Sequence, residues 1–237
     1  MAGIKLLNIK KIYNVEQNNI TVLNAINLDI NEKEITIILG RSGCGKTTLL
    51  RIVAGLEKQD FGELRQYDIK NKAYVFQEDR LMPWLNVREN VAFGLKNKKN
   101  IDNDKIDYII ELVGLKNFCE AYPNQLSGGM KQRVSIARAF AYDTDFIMMD
   151  EPFSALDYFT REQMQKELLK IYNKTECSIL FVTHSIDEAL ILGNKIVVLE
   201  KGNVKSEYII DESNENRDLL STDFVNLKKK IIDDLKI

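Results

Sequence analysis

Residues 40–48, with the sequence GRSGCGKTT, combine glycines, a lysine and hydroxyl side chains in the pattern of a phosphate-binding loop. Gly40, Gly45, Lys46 and Thr47 fit G-x-x-x-x-G-K-[ST], in which backbone N–H groups surround phosphates and the lysine reaches the outer ones. The preceding EITIIL is typical of a buried strand and the following TTLLRIVAGL of a helix, the context that this motif requires. The segment therefore predicts nucleotide binding. We expect nucleotide contacts from Gly40, Arg41, Ser42, Gly43, Cys44, Gly45, Lys46, Thr47 and Thr48.

A second helix start suited to phosphate lies in LSGGMKQRVSIARAF. Ser127, Gly128 and Gly129 precede a helical pattern of apolar residues. The chain therefore has two helix N-termini suited to phosphate, one after the glycine loop and one after Ser127, but only the first has a loop lysine beside it. The simplest explanation is that the second start serves the nucleotide of a neighbouring subunit.

Two further apolar runs end in residues that could act on a phosphate. FIMMD is typical of a central parallel strand that delivers Asp150 at its carboxyl end, where open α/β sheets bind their ligands, and Glu151 follows directly. The only histidine of the chain, His184, comes directly after the run SILFVT. Both runs therefore predict polar side chains at the carboxyl ends of buried strands.

Taken together, GRSGCGKTT, LSGGM, FIMMDEP and His184 make the chain resemble the nucleotide-binding subunits of ATP-binding cassette transporters over almost its whole length. The resemblance implies one α/β domain over residues 1–237, with a P-loop NTPase core and its parallel sheet. It also implies an added antiparallel β-layer and a helical subdomain inserted at about residues 78–144. In that family two subunits form a homodimer around two ATP molecules. Ser127, Gly128 and Gly129 would then cap the γ-phosphate held by the partner's loop.

The resemblance also implies roles in ATP hydrolysis. Asp150 would hold magnesium (Mg²⁺), mostly through water, with Thr47 and Gln77 as further metal contacts. Glu151 would orient and polarise the attacking water. The phosphoryl group would pass to that water with little covalent work by the protein, so that positioning and charge neutralisation set the rate.

Four more residues take roles from the same resemblance. His184 would contact the γ-phosphate, and Gln77 in AYVFQED would link the site to a membrane partner. Asp157 in SALD matches a loop that crosses the dimer interface. Tyr13 in KIYN lies where the family places an aromatic ring against adenine, although a simply packed tyrosine is the alternative.

The elements that must position these residues follow from periodicity. GIKLLNIKKIY and ITVLNAINLDI alternate as in an antiparallel sheet, and KIVVLE is a further core strand. VRENVAFGL, IDNDKIDYIIELVGL and the helix after Ser127 predict the helical subdomain. NVKSEYII predicts a final strand and FVNLKKKIIDDL an amphipathic helix.

The segment QEDRLMPWLNVRENVAFGL resembles the nitrate, sulfonate and taurine importer group. Its apolar run from Leu81 to Leu85, which includes Trp84, predicts a docking surface for a helix of a membrane subunit, with a buried turn as the alternative. The stretch between Leu56 and Gln77 is shorter than in that group and suggests a clipped β-hairpin.

Composition limits the remaining possibilities. With 237 residues, 45% hydrophobic and 29% charged, the chain can bury a sizeable core, and a net charge of −2 argues against a nucleic-acid partner. No run approaches the roughly 18 apolar residues of a membrane span, and three scattered cysteines suggest reduced thiols.

We therefore expect a peripheral ATPase at the cytoplasmic face of the cell membrane. Its expected partners are integral membrane permease subunits and, indirectly, a solute-binding protein. The alternatives left open are the ATPase of an exporter and a soluble cassette ATPase without a transport role.

Overall fold

The computed structural model describes residues 2–15, 18–67, 69–95, 102–142, 144–175, 177–214 and 217–236. The strands are β1 (Ala2–Val15), β2 (Asn18–Asn31), β3 (Ile35–Leu39), β4 (Phe61–Gln66), β5 (Lys72–Val75), β6 (Phe146–Asp150), β7 (Ser178–Thr183), β8 (Lys195–Glu200) and β9 (Asn203–Ile209). The α-helices are α1 (Lys46–Ala54), α2 (Val87–Ala92), α3 (Asn103–Leu112), α4 (Gly128–Ala141), α5 (Tyr158–Thr175), α6 (Ile186–Leu192) and α7 (Thr222–Leu235). Short 3-10 turns cover Phe93–Leu95, Lys116–Phe118 and Pro123–Gln125.

The chain divides into two compact units. The first unit consists of Met1–Lys70 and Glu176–Ile237, and the second of Asn71–Thr175. The single domain with a helical subdomain at about residues 78–144 stays a prediction.

The first unit contains an antiparallel sheet in the order β2-β1-β4. Ile4, Leu6 and Ile9 of β1 are fully buried, and β2 buries a matching set of leucines and isoleucines. The two predicted alternating segments therefore form adjacent strands, because side chains at every second position share one face.

The first unit also contains parallel strands in the order β7-β3-β8, with β9 antiparallel at the edge beside β8. Every residue of β3 and β7 is buried. Helices α1, α6 and α7 contact these strands. Continuous burial explains why the strands appear in the sequence as unbroken apolar runs rather than as alternating ones.

The second unit pairs β5 with β6 in parallel and packs α2, α3 and α4 against one another. Side chains that cap exposed backbone N–H groups define where its helices begin. Asn86 and Glu89 form a reciprocal capping box at α2, and Asp102 accepts from the backbone N–H of Lys105 at α3.

The expected hairpin between Leu56 and Gln77 is wrong. Among the described residues of this stretch, β4 pairs with β1 and β5 pairs with β6. Each strand makes its backbone hydrogen bonds in a different sheet, so β4 and β5 are not paired with each other.

Candidate functional site

The glycine loop connects the buried strand β3 to helix α1 in the first unit. At Gly45 the backbone has a φ of 105°, and a Cβ atom there would lie 2.8 Å from the carbonyl oxygen of Val22. A Cβ atom at Gly40 would lie 2.4 Å from the carbonyl oxygen of Leu199. Larger residues would clash at both positions, so the loop needs glycine for its close approach to neighbouring backbone.

Lys46 is the buried cation of this loop. The side chain is 5% exposed, and its Nζ donates hydrogen bonds to the carbonyl oxygens of Gly40 at 2.8 Å and Arg41 at 3.1 Å. Helix α1 has no acidic residue in its first turn. The partial positive charge at its N-terminal end is therefore not offset by a carboxylate and favours an anion. Arg41, Ser42 and Gly43 are exposed, whereas Thr47 and Thr48 are half-buried.

A cavity of about 320 Å³ adjoins the same loop. Its lining residues are Arg41, Ser42, Gly43, Cys44, Leu199, Glu200, Lys201 and Leu235. Leu235 is the last residue of α7, so the end of this helix lies beside the predicted phosphate-binding segment.

Tyr13 lies on β1 close to α1. Its hydroxyl donates a hydrogen bond to Oε1 of Glu57. The pKa of Tyr13 is raised, first by burial and then by the hydrogen bond with Glu57, while a hydrogen bond with the Thr48 side chain lowers it. The structure therefore brings the predicted adenine-stacking residue next to the first turn of the phosphate-loop helix.

His184 is exposed and follows β7 directly. The register of the parallel pair places Leu39 opposite Thr183, so Gly40 and His184 leave adjacent strands at the same end of the sheet. Thr183 donates a hydrogen bond at 2.5 Å to Oε2 of the buried Glu188, and its hydroxyl oxygen accepts from the backbone N–H of Ser185 at 3.0 Å. The residues on both sides of His184 are thus held by one hydrogen-bond network.

In the second unit, Asp150 ends β6 and is 3% exposed. The Tyr74 hydroxyl donates a hydrogen bond at 3.3 Å to Oδ2 of this carboxylate. Glu151 is half-buried and adopts a left-handed φ of 45°, which turns the chain sharply after the strand. Gln77 follows β5, whose Val75 is paired with Met149, so Gln77 and Glu151 occupy the same end of adjacent strands.

The signature residues lie at the start of α4. Ser127 caps the helix, since its Oγ accepts from the backbone N–H of Met130 at 3.3 Å, and Ser127 and Gly128 are exposed. A Cβ atom at Gly129 would lie 3.3 Å from Cδ2 of Leu156, so a larger residue there would require the Leu156 side chain to shift slightly.

Asp157 precedes α5, and its Oδ1 accepts from the backbone N–H of Thr160 at 3.1 Å. Hydrogen bonds to Thr160 hold the pKa of the Asp157 carboxyl below its usual value. The side chain is therefore ionised at neutral pH and fixed at the start of a helix.

The apolar run before α2 is partly exposed. Trp84 is 69% exposed, while Leu85 is buried. The amide of the fully buried Asn90 holds this turn, because its Nδ2 donates to the carbonyl oxygen of Leu85 at 2.8 Å and its Oδ1 accepts from the backbone N–H of Met82 at 2.8 Å. A buried turn is therefore wrong for Trp84, which the fold presents to solvent.

The predicted magnesium contacts are a threonine hydroxyl, an aspartate carboxylate and a glutamine amide. Magnesium prefers oxygen ligands and usually keeps several waters, so one or two carboxylates suffice for its binding. The donor chemistry of Thr47, Asp150 and Gln77 fits this preference. Within the residues that the structure describes, no group of three or more histidine, cysteine and acidic side chains forms a closed metal cage.

Sequence analysis missed Lys11 and Glu57 beside Tyr13, and Glu188 beside His184. No local pattern indicates Glu57, because 44 positions separate it from Tyr13. Glu188 lies in the first turn of α6, where a glutamate is an ordinary helix residue.

Across the described ranges, no helix has the length and apolar character needed to cross a bilayer.

Comparison with known proteins places these features in a family. A family model described as "ABC transporter" matches residues 23–154. An uncharacterised ABC transporter ATP-binding protein of Methanocaldococcus jannaschii is 45% identical, over 98% of this chain and 91% of its own. An aliphatic sulfonates import ATP-binding protein of Bacillus cereus is 38% identical, over 94% and 92%. A taurine import ATP-binding protein of Roseobacter denitrificans is 41% identical, over 88% and 82%.

A solved structure has the same fold. It is a dimeric ATP-binding cassette in a post-hydrolysis state, bound to ADP and Pi. The two chains are 32% identical, with a TM-score of 0.79, over 89% of this chain and 100% of that one. The predicted α/β cassette fold is therefore confirmed.

Proposed function

This chain belongs to the ABC transporter family, and we propose that it is the ATP-binding and ATP-hydrolysing subunit of an importer with separate membrane permease subunits. One observation carries the proposal. A loop with phosphate-binding geometry and an exposed His184 leave adjacent strands β3 and β7 at one sheet end, in a chain similar to import ATP-binding proteins over most of its length.

The first unit supplies nucleotide binding in this proposal. Backbone N–H groups of the loop and the N-terminal end of α1 bind the phosphates, and Lys46 moves from the loop carbonyls to the outer phosphate oxygens. Tyr13 stacks on adenine. The Thr47 hydroxyl, Asp150 and Gln77 hold magnesium, which neutralises phosphate charge when bound.

Glu151 and His184 supply the hydrolytic chemistry. Glu151 orients water and takes its proton as the water oxygen bonds to the γ-phosphorus, and the bond to the β–γ bridging oxygen breaks to leave ADP. His184 donates a hydrogen bond to the γ-phosphate and stabilises its developing charge. Because the phosphoryl group needs little covalent help, the positions of these side chains set the rate.

The proposed assembly is a homodimer. Ser127, Gly128 and Gly129 at the start of α4 cap the γ-phosphate bound by the partner, and Asp157 lies beside the partner's site. The exposed serine oxygen and the helix N-terminus suit a phosphate, and the similar cassette of known structure is dimeric.

The proposed location is the cytoplasmic face of the cell membrane, where ATP is available. The permease subunits dock near Gln77 and Trp84, and a solute-binding protein delivers the cargo to the permease. Similarity to sulfonate, taurine and nitrate import proteins supports a small solute of one of these types.

Purification from native membranes in mild detergent, followed by mass spectrometry, tests this function. We expect a multispanning permease in stoichiometric amount, and a Glu151→Gln variant should retain it. If the protein is purified together with ribosomal or DNA-repair proteins and without a permease, the importer assignment is contradicted. The proposed ATP hydrolysis would not be affected by that result.

A further inference from the structure

A network of polar side chains surrounds the hydroxyl of Tyr13. The Tyr13 hydroxyl donates to Oε1 of Glu57, and the ammonium of Lys11 lies 3.5 Å from the same oxygen. Lys11 also lies 3.6 Å from Oδ1 of Asp60 and donates to the carbonyl oxygen of Lys58 at 2.8 Å. Its Nζ is 5.3 Å from the centre of the Tyr13 ring. The ring therefore has a charged partner at its hydroxyl and another over its face.

This network is shielded from solvent. The side chains of Lys11 and Glu57 are only 14% and 19% exposed. A carboxylate in such a place keeps its partners, because a lost hydrogen bond would leave a charge poorly solvated. Burial and the hydrogen bond with Glu57 both raise the pKa of Tyr13, so the phenol stays protonated as a donor.

The backbone fixes the position of the Glu57 carboxylate relative to the phosphate loop. Helix α1 begins at the loop and ends at Ala54, and Gly55, which has a left-handed φ of 74°, caps its C-terminal end. The backbone N–H groups of Leu56 and Glu57 both donate to the carbonyl oxygen of Arg51, at 2.9 Å and 3.2 Å. Glu57 is thus held rigidly to the same helix whose first turn would bind phosphate.

A second connection ties this segment to the strand that carries Tyr13. Oδ2 of Asp60 accepts from the backbone N–H of Ile12 at 2.6 Å, and the backbone N–H of Asp60 donates to the carbonyl oxygen of Lys10 at 2.9 Å. The segment after α1 is therefore hydrogen-bonded to strand β1 at the residues just before the tyrosine.

We propose that Glu57 is a positioning residue for the nucleotide base, because its hydrogen bond to Tyr13 holds the ring in the orientation that stacks on adenine. Lys11, which also lies beside Asp60, holds the Glu57 carboxylate in place. Because Glu57 is held at the end of α1, it also sets the distance between the Tyr13 ring and the phosphate-binding loop. The inference rests on the proposed function, since it takes Tyr13 as the adenine platform.

The test compares affinities for MgATP and for magnesium tripolyphosphate, which has the phosphates but no base. Glu57→Ala and Tyr13→Phe both remove the hydrogen bond between these two residues, and Tyr13→Phe also removes the bond between the Tyr13 hydroxyl and Thr48. We expect each to weaken ATP binding about fivefold, the equivalent of one hydrogen bond, and to leave tripolyphosphate affinity unchanged. The double variant should lose no more than Tyr13→Phe alone, because that variant already lacks the hydrogen bond to Glu57.

Two control variants complete the design. Glu57→Gln keeps an oxygen that can accept from the tyrosine and should retain most ATP affinity. Glu63→Ala removes an exposed glutamate of the same unit and should change neither affinity. If Glu57→Ala does not fold, Tyr13→Phe and Glu57→Gln still decide the question.

Three results separate the possible failures. Unchanged ATP affinity in Glu57→Ala or Tyr13→Phe, with weak binding by Tyr13→Ala, would overturn the positioning role and leave the adenine platform intact. Equal loss of ATP and tripolyphosphate affinity would show that Glu57 acts on the phosphate loop instead. Full ATP affinity in Tyr13→Ala would contradict the adenine assignment of the proposed function itself.

Discussion

At the scale of single residues, the proposed chemistry depends on how exposed side chains are kept in place. His184 lies on the surface, yet both of its neighbours are held. Thr183 donates a hydrogen bond to the buried carboxylate of Glu188, and its hydroxyl oxygen accepts from the backbone N–H of Ser185, whose Oγ accepts from the backbone N–H of Glu188. A hydrogen bond to a charged carboxylate is stronger than one between neutral groups. The position of His184 should therefore depend on Glu188, which would touch no part of the nucleotide.

Replacing Glu188 by alanine should lower kcat for ATP hydrolysis about tenfold, because misplacement of a group at a reacting phosphate is costly. The KM for ATP should stay nearly constant. Glu188→Gln keeps an acceptor for Thr183 and should restore part of kcat. Steady-state kinetics with thermal unfolding as a check on folding would measure this. A parallel rise in KM would point to general damage of the phosphate site.

Cys44 offers a second prediction at this scale. The thiol is buried within the phosphate loop and lines the cavity beside it. Alkylation adds bulk where a Cβ atom on Gly40 would already lie 2.6 Å from the sulfur. In a variant with Cys119→Ser and Cys177→Ser, we expect modification of Cys44 to abolish ATP binding and bound ATP to slow the reaction. Unchanged ATP affinity after stoichiometric labelling, measured by mass spectrometry and calorimetry, would contradict this.

At the scale of elements, local patterns predicted the buried strands correctly, but they did not predict which distant strands pair. β3, β6, β7 and β8 coincide with apolar runs, since strands buried on both faces need apolar side chains throughout. The hairpin was wrong because the partners of β4 and β5 lie elsewhere in the chain. α5 was not identified at all. Glu57 was not predicted as part of the site because its partner Tyr13 is distant in sequence.

Helix α7 also depends on contacts that its amphipathic pattern does not reveal. Near its C-terminal end, Asp234 accepts hydrogen bonds at 2.5 Å from the hydroxyls of Ser206 and Tyr208 on β9. These bonds hold the pKa of Asp234 below its usual value of 3.8. Since the next residue, Leu235, lines the cavity beside the phosphate loop, Asp234 keeps the helix end in that place.

Asp234→Asn should lower the melting temperature at pH 7 by about 3 °C, the equivalent of about 1 kcal/mol. A depressed pKa stabilises the fold above the unfolded-state pKa near 3.8, and the effect disappears as pH falls through the lower folded-state value. The difference between the two proteins should therefore shrink below about pH 4. Paired melting curves from pH 7 to pH 3 would measure it, and a difference independent of pH would contradict the role of the charge.

At the scale of the whole molecule, the proposed ATPase subunit must transmit the effect of ATP hydrolysis to a membrane partner. Trp84 is the feature that suits such a contact, because a buried asparagine holds the turn that exposes it. Exposed aromatic residues are enriched at the energetic centres of protein interfaces.

Trp84→Ala should leave ATP affinity and basal hydrolysis unchanged in the isolated protein and reduce solute uptake by the assembled transporter at least about tenfold. Tyr108→Ala, which removes another exposed aromatic residue of the same unit, serves as the control and should retain uptake. Uptake into vesicles containing the complete transporter is the measurement. Normal uptake with Trp84→Ala would show that the permease docks elsewhere.

The central claim is that Glu151 activates water at an ATP site formed by two copies of the chain. It is tested most directly by measuring ATP turnover and mass by light scattering for Glu151→Gln beside the unaltered protein. We expect turnover to fall at least about a hundredfold, the contribution of a general base, while MgATP converts the variant from monomer to stable dimer. A variant that hydrolyses ATP at the normal rate, or that stays monomeric with ATP bound, would contradict the account.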